Sequence, residues 1–265
     1  MSDFLSTILA HKRDELVAIT KLDADRIKRC AETAAMEASS TRSLKESIES
    51  SHRVAIISEF KRRSPSKGWI REEATPANIC PAYEQAGAAA LSILTDRDFF
   101  GGSVDFVSTV RPLVKLPILR KDFIIDPLQV YETKAIGADA LLLIAACLSS
   151  AQTKELTELA HSLDIEVLLE IHNESEIGHI CEGIDVVGIN NRNLQTFNVN
   201  IETSLALVNS LPSDSCKISE SGLTTTADLK RLQQAGFNGF LIGERLMCAT
   251  DPAEALRTLI KNFEK

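Results

Sequence analysis

From residue 54 onward the chain repeats one unit eight times in about 210 residues: a short apolar run, then a stretch with helical spacing. The runs are 54–60, 89–95, 117–120, 140–144, 166–171, 185–190, 217–219 and 239–242. The helical stretches are 76–86, 104–114, 127–136, 151–163, 174–181, 201–210, 225–235 and 252–263. Runs that are apolar on both faces read as parallel strands covered by helices. Strand then helix, eight times, is the plan of an α/β protein of the (β/α)8 TIM-barrel type. A doubly wound open sheet shares the alternation, but it would normally carry a G-x-G-x-x-G turn after its first strand. SEFKRRSPSKG, residues 58–68, has none.

Ahead of the barrel, residues 1–48 form a helical extension. Phe4, Ile8, Leu9, Leu16 and Ile19 recur at helical spacing, followed by polar SSTRSLKESIESS. This reads as one or two helices and a connector, too short for an independent domain, with residues 49–265 as the catalytic barrel. The chain has 265 residues, 44% of them hydrophobic, and no run of about 18 apolar residues, so a soluble protein with a sizeable core is expected. Met-Ser-Asp and the charged stretch behind it lack the apolar region of a secretory signal, which points to the cytoplasm. Cys30, Cys80, Cys147, Cys181, Cys216 and Cys248 stand singly, as expected of reduced buried thiols. A net charge of −8 argues against a general nucleic-acid binder and leaves room for a local basic pocket that takes a small anion.

The odd strands end in charge. Alternation puts Ile57, Glu59 and Lys61 on one face of the first, Leu119, Lys121 and Phe123 on one face of the third, and Leu168 and Glu170 on one face of the fifth. The seventh ends in Ser219-Glu220-Ser221-Gly222. Inward residues of alternate strands meet in one layer, so Glu59, Lys61, Lys121, Glu170 and Glu220 would converge at the carboxyl mouth. Any one of them could simply cap its strand as the chain enters solvent. Five ionisable groups of both signs on one rim point instead to a functional site. Glu-Ser-Gly (220–222) and Leu-Ile-Gly-Glu-Arg (241–245) put glycines after strands seven and eight, the loops that commonly hold phosphate in this architecture, and Ser64 could add a hydroxyl. Asn190 to Asn193 offer neutral donors and one cation, Arg192, suited to sugar hydroxyls.

SEFKRRSPSKG, DRDFFGGS, ILRKDFIID, LLLI, LLEIHNE, GINNRNL, ISESGL and GFLIGERLM, in this order, resemble the motif series of the indole-3-glycerol phosphate synthases of tryptophan biosynthesis. The resemblance covers about residues 50–250 and reaches the helical extension, which in that family packs across the barrel mouth. It implies a carbon-carbon lyase that closes the ring of 1-(2-carboxyphenylamino)-1-deoxyribulose 5-phosphate with loss of CO2 and water. No cofactor or metal is implied. Carried over by position, Lys121 matches the general acid at the carbonyl and Glu170 the carboxylate of the dehydration. Lys61 matches the lysine that meets the anthranilate carboxylate, and Glu59 the carboxylate that holds the lysines and works beside Glu170. Asn190, Arg192 and Ser221 match polar contacts to substrate, and Glu220 a supporting carboxylate. Ser64, Gly222 and Gly243 match the phosphate cradle, and Phe100 and Leu142 the walls of the apolar pocket.

Glu244 departs from the pattern. A carboxylate beside a dianion fits there only with its side chain turned outward, and Arg245 could offset its charge. Fusion to a phosphoribosylanthranilate isomerase is known in the family; this chain reads as a single, monofunctional barrel acting on a small molecule, as a monomer or weak homodimer, with no nucleic-acid or membrane partner. Three other readings of the residues stay open. Lys121 could serve a Schiff-base aldolase. The phosphate loops would suit a phosphoribosyl isomerase, although isomerisation does not require a carboxylate-binding lysine beside an aromatic-lined pocket. The barrel could also be a sugar-phosphate sensor without turnover.

Overall fold

The computed structural model describes residues 4–37, 42–194 and 196–265. Eight parallel strands close into a barrel: Ala55–Phe60, Ala90–Leu94, Ile118–Lys121, Ala140–Ile144, Glu166–Ile171, Val186–Asn190, Cys216–Glu220 and Gly239–Ile242. The first pairs with the eighth, Ala55 opposite Gly239 and Ser58 opposite Ile242. The expected runs lie within two residues of these bounds, and the seventh strand is longer than expected, so Glu220 is its last residue.

Strand alternation separates two cores. Ile57, Leu119, Leu142, Leu168, Ile218 and Leu241 fill the interior, whereas Ile56, Leu91, Ile118, Leu143, Leu169 and Phe240 pack outward under the helices. Most of those helices start on local signals. Asp126 with Gln129, Ser149 with Gln152 and Thr225 with Asp228 form capping boxes, and Pro76, Pro127 and Pro252 stand in first turns.

Three helical stretches differ from expectation; one of them, 201–210, is a helix Glu202–Leu207 followed by a 3-10 turn Val208–Ser210. Residues 104–114 divide into a helix Val104–Val110 and a 3-10 turn Arg111–Leu113, because Pro112 has no N–H to continue the ladder. The stretch 174–181 is a 3-10 turn, Glu174–His179, with Gly178 weakening any α-helix. The thiols differ as well. None of the six is in a disulfide, but only Cys80 and Cys216 are buried; Cys30 and Cys248 are exposed, the first on a helix and the second in the turn after the short helix Glu244–Met247 at the cavity edge.

Among the described residues the N-terminal region holds three helices, α1 (Phe4–Val17), α2 (Lys21–Glu37) and α3 (Leu44–Glu49). The third falls in the stretch read as a connector, and residue 48 lies inside it. Leu44 and Ile48 insert among Ala55, Ala90, Ala140 and Cys216, so α3 stoppers the amino end of the barrel where small side chains leave room. Ser43 caps it and donates to Glu166 Oε1 at 2.5 Å, and Ser47 donates to the carbonyl of Ala89 at 2.6 Å.

α1 lies at the opposite end. Of its expected apolar stripe only Ile8 is fully buried; the rest of its buried face is Leu5 and Lys12. Lys12 is 4% exposed, with Nζ 2.9 Å from Glu15, 3.0 Å from Asp96 and 3.1 Å from Asp122. Asp122 in turn accepts from Thr95 at 2.5 Å and Arg120 at 3.2 Å. Burial works against the Lys12 charge, yet Asp122 and Asp96 outweigh it and hold the ammonium protonated. Lys12→Met leaves the buried Asp96 without its ion pair, while Asp122 keeps Arg120 and Thr95, and is expected to cost about 3–5 kcal/mol in urea unfolding. A loss below about 1 kcal/mol would mean that this contact is no stronger than a surface ion pair.

Candidate active site

The carboxyl ends of the strands surround a cavity of about 630 Å³. All fourteen residues singled out in the sequence line it: Glu59, Lys61, Ser64, Phe100, Lys121, Leu142, Glu170, Asn190, Arg192, Glu220, Ser221, Gly222, Gly243 and Glu244. Phe4, Leu5 and Ile8 of α1 line its outer part. The interior face of each odd strand runs from apolar to ionisable, Ile57 to Glu59, Leu119 to Lys121, Leu168 to Glu170 and Ile218 to Glu220. That is the alternation expected of inward positions.

At the floor of the cavity Lys121 Nζ donates to Glu170 Oε2 at 2.7 Å and to Glu220 Oε2 at 2.9 Å. Lys61 Nζ pairs with Glu59 Oε1 at 2.8 Å. Glu59 therefore holds Lys61 directly, whereas Lys121 is gripped by the other two carboxylates; the reach of Glu59 to both lysines, implied by the resemblance, is electrostatic only at Lys121. Burial opposes the Lys121 charge, but Glu170 and Glu220 keep it firmly protonated.

One ammonium cannot neutralise two buried carboxylates, and the two respond in opposite directions. Glu170 has a second cation beside it, His172, and stays ionised well below the usual carboxylate range despite its burial. Glu220 is pushed up to about 7 by burial, with Lys121 pulling it down and Glu170 pushing it further up. Its Oε1 is buried without a hydrogen-bond partner. Two glycines make room for these groups: a Cβ on Gly188 would collide with Glu220, and one on Gly243 with Glu59.

The other end of the cavity is built from turns. Ser221 and Gly222 both take left-handed backbone conformations, φ 66° and 71°, and Val199 packs where a Gly222 side chain would go. Ser64 is 5% exposed, and its hydroxyl is free of protein partners. Glu244 is balanced by Lys67, 2.8 Å away, and by Arg192 at 3.9 Å; Arg245 is exposed and forms no ion pair with it. Burial raises the Glu244 carboxyl, but Lys67, Lys61 and Arg192 together hold it below its ordinary range. Of the neighbouring asparagines, Asn190 lines the cavity, whereas Asn191 is a staple: it donates to Ser219 Oγ at 2.9 Å and accepts from Ser204 Oγ at 2.8 Å.

On the apolar wall Phe100 stands 6.1 Å from Phe123, and Phe4 of α1 packs edge-on against Phe99 and Phe197, 5.7 and 5.4 Å between centroids. Sequence reasoning missed Lys67, which stood in plain view in Ser-Pro-Ser-Lys-Gly, and His172, which strand alternation places on the side of Leu168 and Glu170. Among the described residues one group could reach a common cation, His11, Glu15 and Asp98; it lines no part of the cavity, and His11 already lies 2.6 Å from Asp98.

Glu220 has a pH consequence. Its carboxyl titrates higher in the folded chain than in the unfolded one, so ionising it opposes folding. The stability tied to its protonated form is full below about pH 4.5 and is lost as pH rises through about 7. Glu220→Gln cannot ionise, so its stability relative to the parent should climb as pH rises from 5 to 8 in parallel denaturant titrations. A constant difference across that range would mean that Glu220 is ionised throughout.

Comparison with known proteins agrees in family and in fold. The sequence model of the indole-3-glycerol phosphate synthase family matches residues 5–259. The chain is 52% identical over 264 residues to an indole-3-glycerol phosphate synthase of Bacteroides thetaiotaomicron, covering 100% of both chains. It is 46% identical over 261 residues to one of Polaromonas sp. strain JS666, covering 98% of each. A solved thiamine phosphate pyrophosphorylase from Pyrococcus furiosus superposes with a TM-score of 0.59 at 16% identity, covering 84% of this chain and 98% of that one, a likeness of fold alone. With the family's model matched nearly end to end and a relative of this identity along its full length, the chain belongs to the indole-3-glycerol phosphate synthase family.

Proposed function

We propose that the cavity closes the pyrrole ring of 1-(2-carboxyphenylamino)-1-deoxyribulose 5-phosphate, releasing CO2 and water, with Lys121 as the general acid and Glu170 as the carboxylate of the dehydration. The observation that carries this assignment is the Lys121 ammonium held 2.7 Å from Glu170 and 2.9 Å from Glu220 on the cavity floor, with a second lysine, Lys61, on the same rim.

The chemistry needs charge of both signs at fixed points. The ring carbon that bears the carboxylate attacks the ribulose carbonyl, and the oxygen becomes a hydroxyl by taking a proton from Lys121. Lys61 meets the anthranilate carboxylate until the C–CO2 bond breaks and its electron pair restores the aromatic ring. The hydroxyl then leaves as water while the adjacent carbon gives up a proton, and Glu170 moves protons in this step with Glu59 beside it. Glu220 fixes Lys121 from the other side. Ser64, Gly222 and Gly243 cradle the phosphate, Asn190, Arg192 and Ser221 hold the sugar-phosphate portion, and Phe100 and Leu142 flank the ring. Glu244, tied to Lys67, faces the same end and moderates its positive charge.

Of the extension expected over the mouth (residues 1–48), α1 is read as a lid at the catalytic end, because Phe4, Leu5 and Ile8 line the cavity and Phe197 of the loop after the sixth strand packs on Phe4, whereas α3 closes the opposite end of the barrel. The free, exposed thiols of Cys30 and Cys248 fit a reducing, cytoplasmic setting, and the reading carries with it a monomer or weak homodimer.

Mixing the purified protein with the carboxyphenylamino-deoxyribulose phosphate should produce indole fluorescence. Lys121→Ala is expected to lower kcat by several orders of magnitude with a smaller change in KM, since its contact strengthens as charge develops on the carbonyl oxygen. Retention of more than about a tenth of the parent kcat would remove Lys121 from the mechanism. For the lid, a chain beginning near Arg42 keeps α3 in the barrel base, and we expect it to unfold cooperatively while losing substrate affinity and part of kcat as water enters the site. Unchanged kcat and KM would refute the lid, and loss of cooperative unfolding would make α1 and α2 part of the core.

A further inference from the structure

Lys121 takes only one oxygen of the Glu170 carboxylate, Oε2. The other, Oε1, lies 3.2 Å from Nε2 of His172. The imidazole is 9% exposed, and its buried Nε2 makes no straight hydrogen bond, so it meets Glu170 as a neighbouring charge at ion-pair distance. On the far side Glu176 holds the same residue twice. Its Oε2 accepts the His172 backbone N–H at 2.7 Å and lies 3.2 Å from Nδ1. Glu176 is itself fixed, because its Oε1 accepts from the Asn173 amide at 2.8 Å, and Asn173 Oδ1 caps the turn by accepting the Ser175 N–H at 3.0 Å.

Burying an ionisable ring between two carboxylates costs desolvation that an apolar side chain at this turn would avoid. The arrangement makes sense if the ring acts on Glu170. We propose that His172 is a positioning residue for Glu170, which it and Lys121 hold by opposite oxygens so that the carboxylate plane cannot rotate away from the substrate, while the turn through Glu176 fixes His172.

The proposal rests on the reading of Glu170 as the carboxylate of the dehydration. The charged groups that face His172 are Glu170 and Glu176; those that face Glu170 are His172, Lys121 and, across the mouth, Glu220. Burial pulls the imidazole down, but its two carboxylates carry it up to about 9, so it is a cation throughout the neutral range. Without that cation Glu170 keeps one anchor, its plane is free to turn about that contact, and its proton affinity rises.

The test measures turnover of the carboxyphenylamino-deoxyribulose phosphate by His172→Ala and His172→Gln, each in the parent and in the Glu170→Gln background. Each single variant should lose about a hundredfold in kcat with KM little changed, the scale of a displaced catalytic group. The acid limb of kcat should move to higher pH, because Glu170 without its neighbouring cation protonates more readily. In the Glu170→Gln background neither substitution should cost anything further, since the carboxylate it acts through is gone. Parent-like kcat and an unmoved acid limb would overturn the proposal, and so would an additional loss in the Glu170→Gln background. If Glu170→Gln itself turned over like the parent, the reading of Glu170 would fall and this proposal with it; a dead Glu170→Gln beside fully active His172 variants overturns the positioning role alone. Should His172→Ala not fold, His172→Gln, which keeps an N–H donor and much of the volume, carries the same comparison.

Discussion

One ammonium between two buried carboxylates is the constraint that the surrounding structure answers. Ions removed from water cost several kcal/mol each unless they are paired, and Lys121 can neutralise only one of Glu170 and Glu220. The excess negative charge is handled in two ways. Glu170 gains a second cation in His172, and Glu220 holds its proton up to about pH 7. The backbone yields space where the carboxylates need it, at Gly188 for Glu220 and at Gly243 for Glu59. A cluster of this kind is the usual sign of groups whose proton affinities are set for chemistry.

The two ends of the barrel divide the labour. At the amino end α3 supplies Leu44 and Ile48 to an interior of alanines, and its contacts are those of a packed core. At the carboxyl end α1 is joined to the barrel through Lys12, which sits against Asp96 and Asp122, the latter being the residue after Lys121. The extension is thus tied to the strand end that carries the proposed general acid. That ion pair, buried and supported by Arg120 and Thr95, is worth more than a surface contact because breaking it strands charge in the interior.

At the turn-built end charge is balanced more loosely. Lys67, Arg192 and Lys61 surround Glu244, so a carboxylate that looks misplaced beside a dianion is compensated by cations from two other loops. A chain with a net charge of −8 can therefore still offer an anion a locally mixed, hydrogen-bonding surface, because short-range pairing outweighs the distant average.

Much of this was legible in the residues. The eight-fold alternation specified the barrel, because a strand buried on both faces must read as a continuous apolar run and each crossover needs a helix. Period-two geometry alone then put Glu59, Lys61, Lys121, Glu170 and Glu220 on one inward face. The glycines after strands seven and eight, the serine turn and the asparagine run added Ser64, Asn190, Arg192, Gly222 and Gly243, the family motifs added Phe100, Leu142, Ser221 and Glu244, and all of them line one cavity. The partnerships were decided by the tertiary structure. Lys121 and Glu220 stand 99 residues apart, and the preference of Lys121 for Glu220 and Glu170, with Glu59 left to Lys61, depends on ångström distances across the barrel axis. So does the choice of which carboxylate keeps a proton, since desolvation and the nearest cation set it and neither is local in sequence. The placing of α3 followed the same logic: its few apolar residues are too sparse to announce a core helix, and they become one only because the closed barrel leaves an end that Leu44 and Ile48 fit.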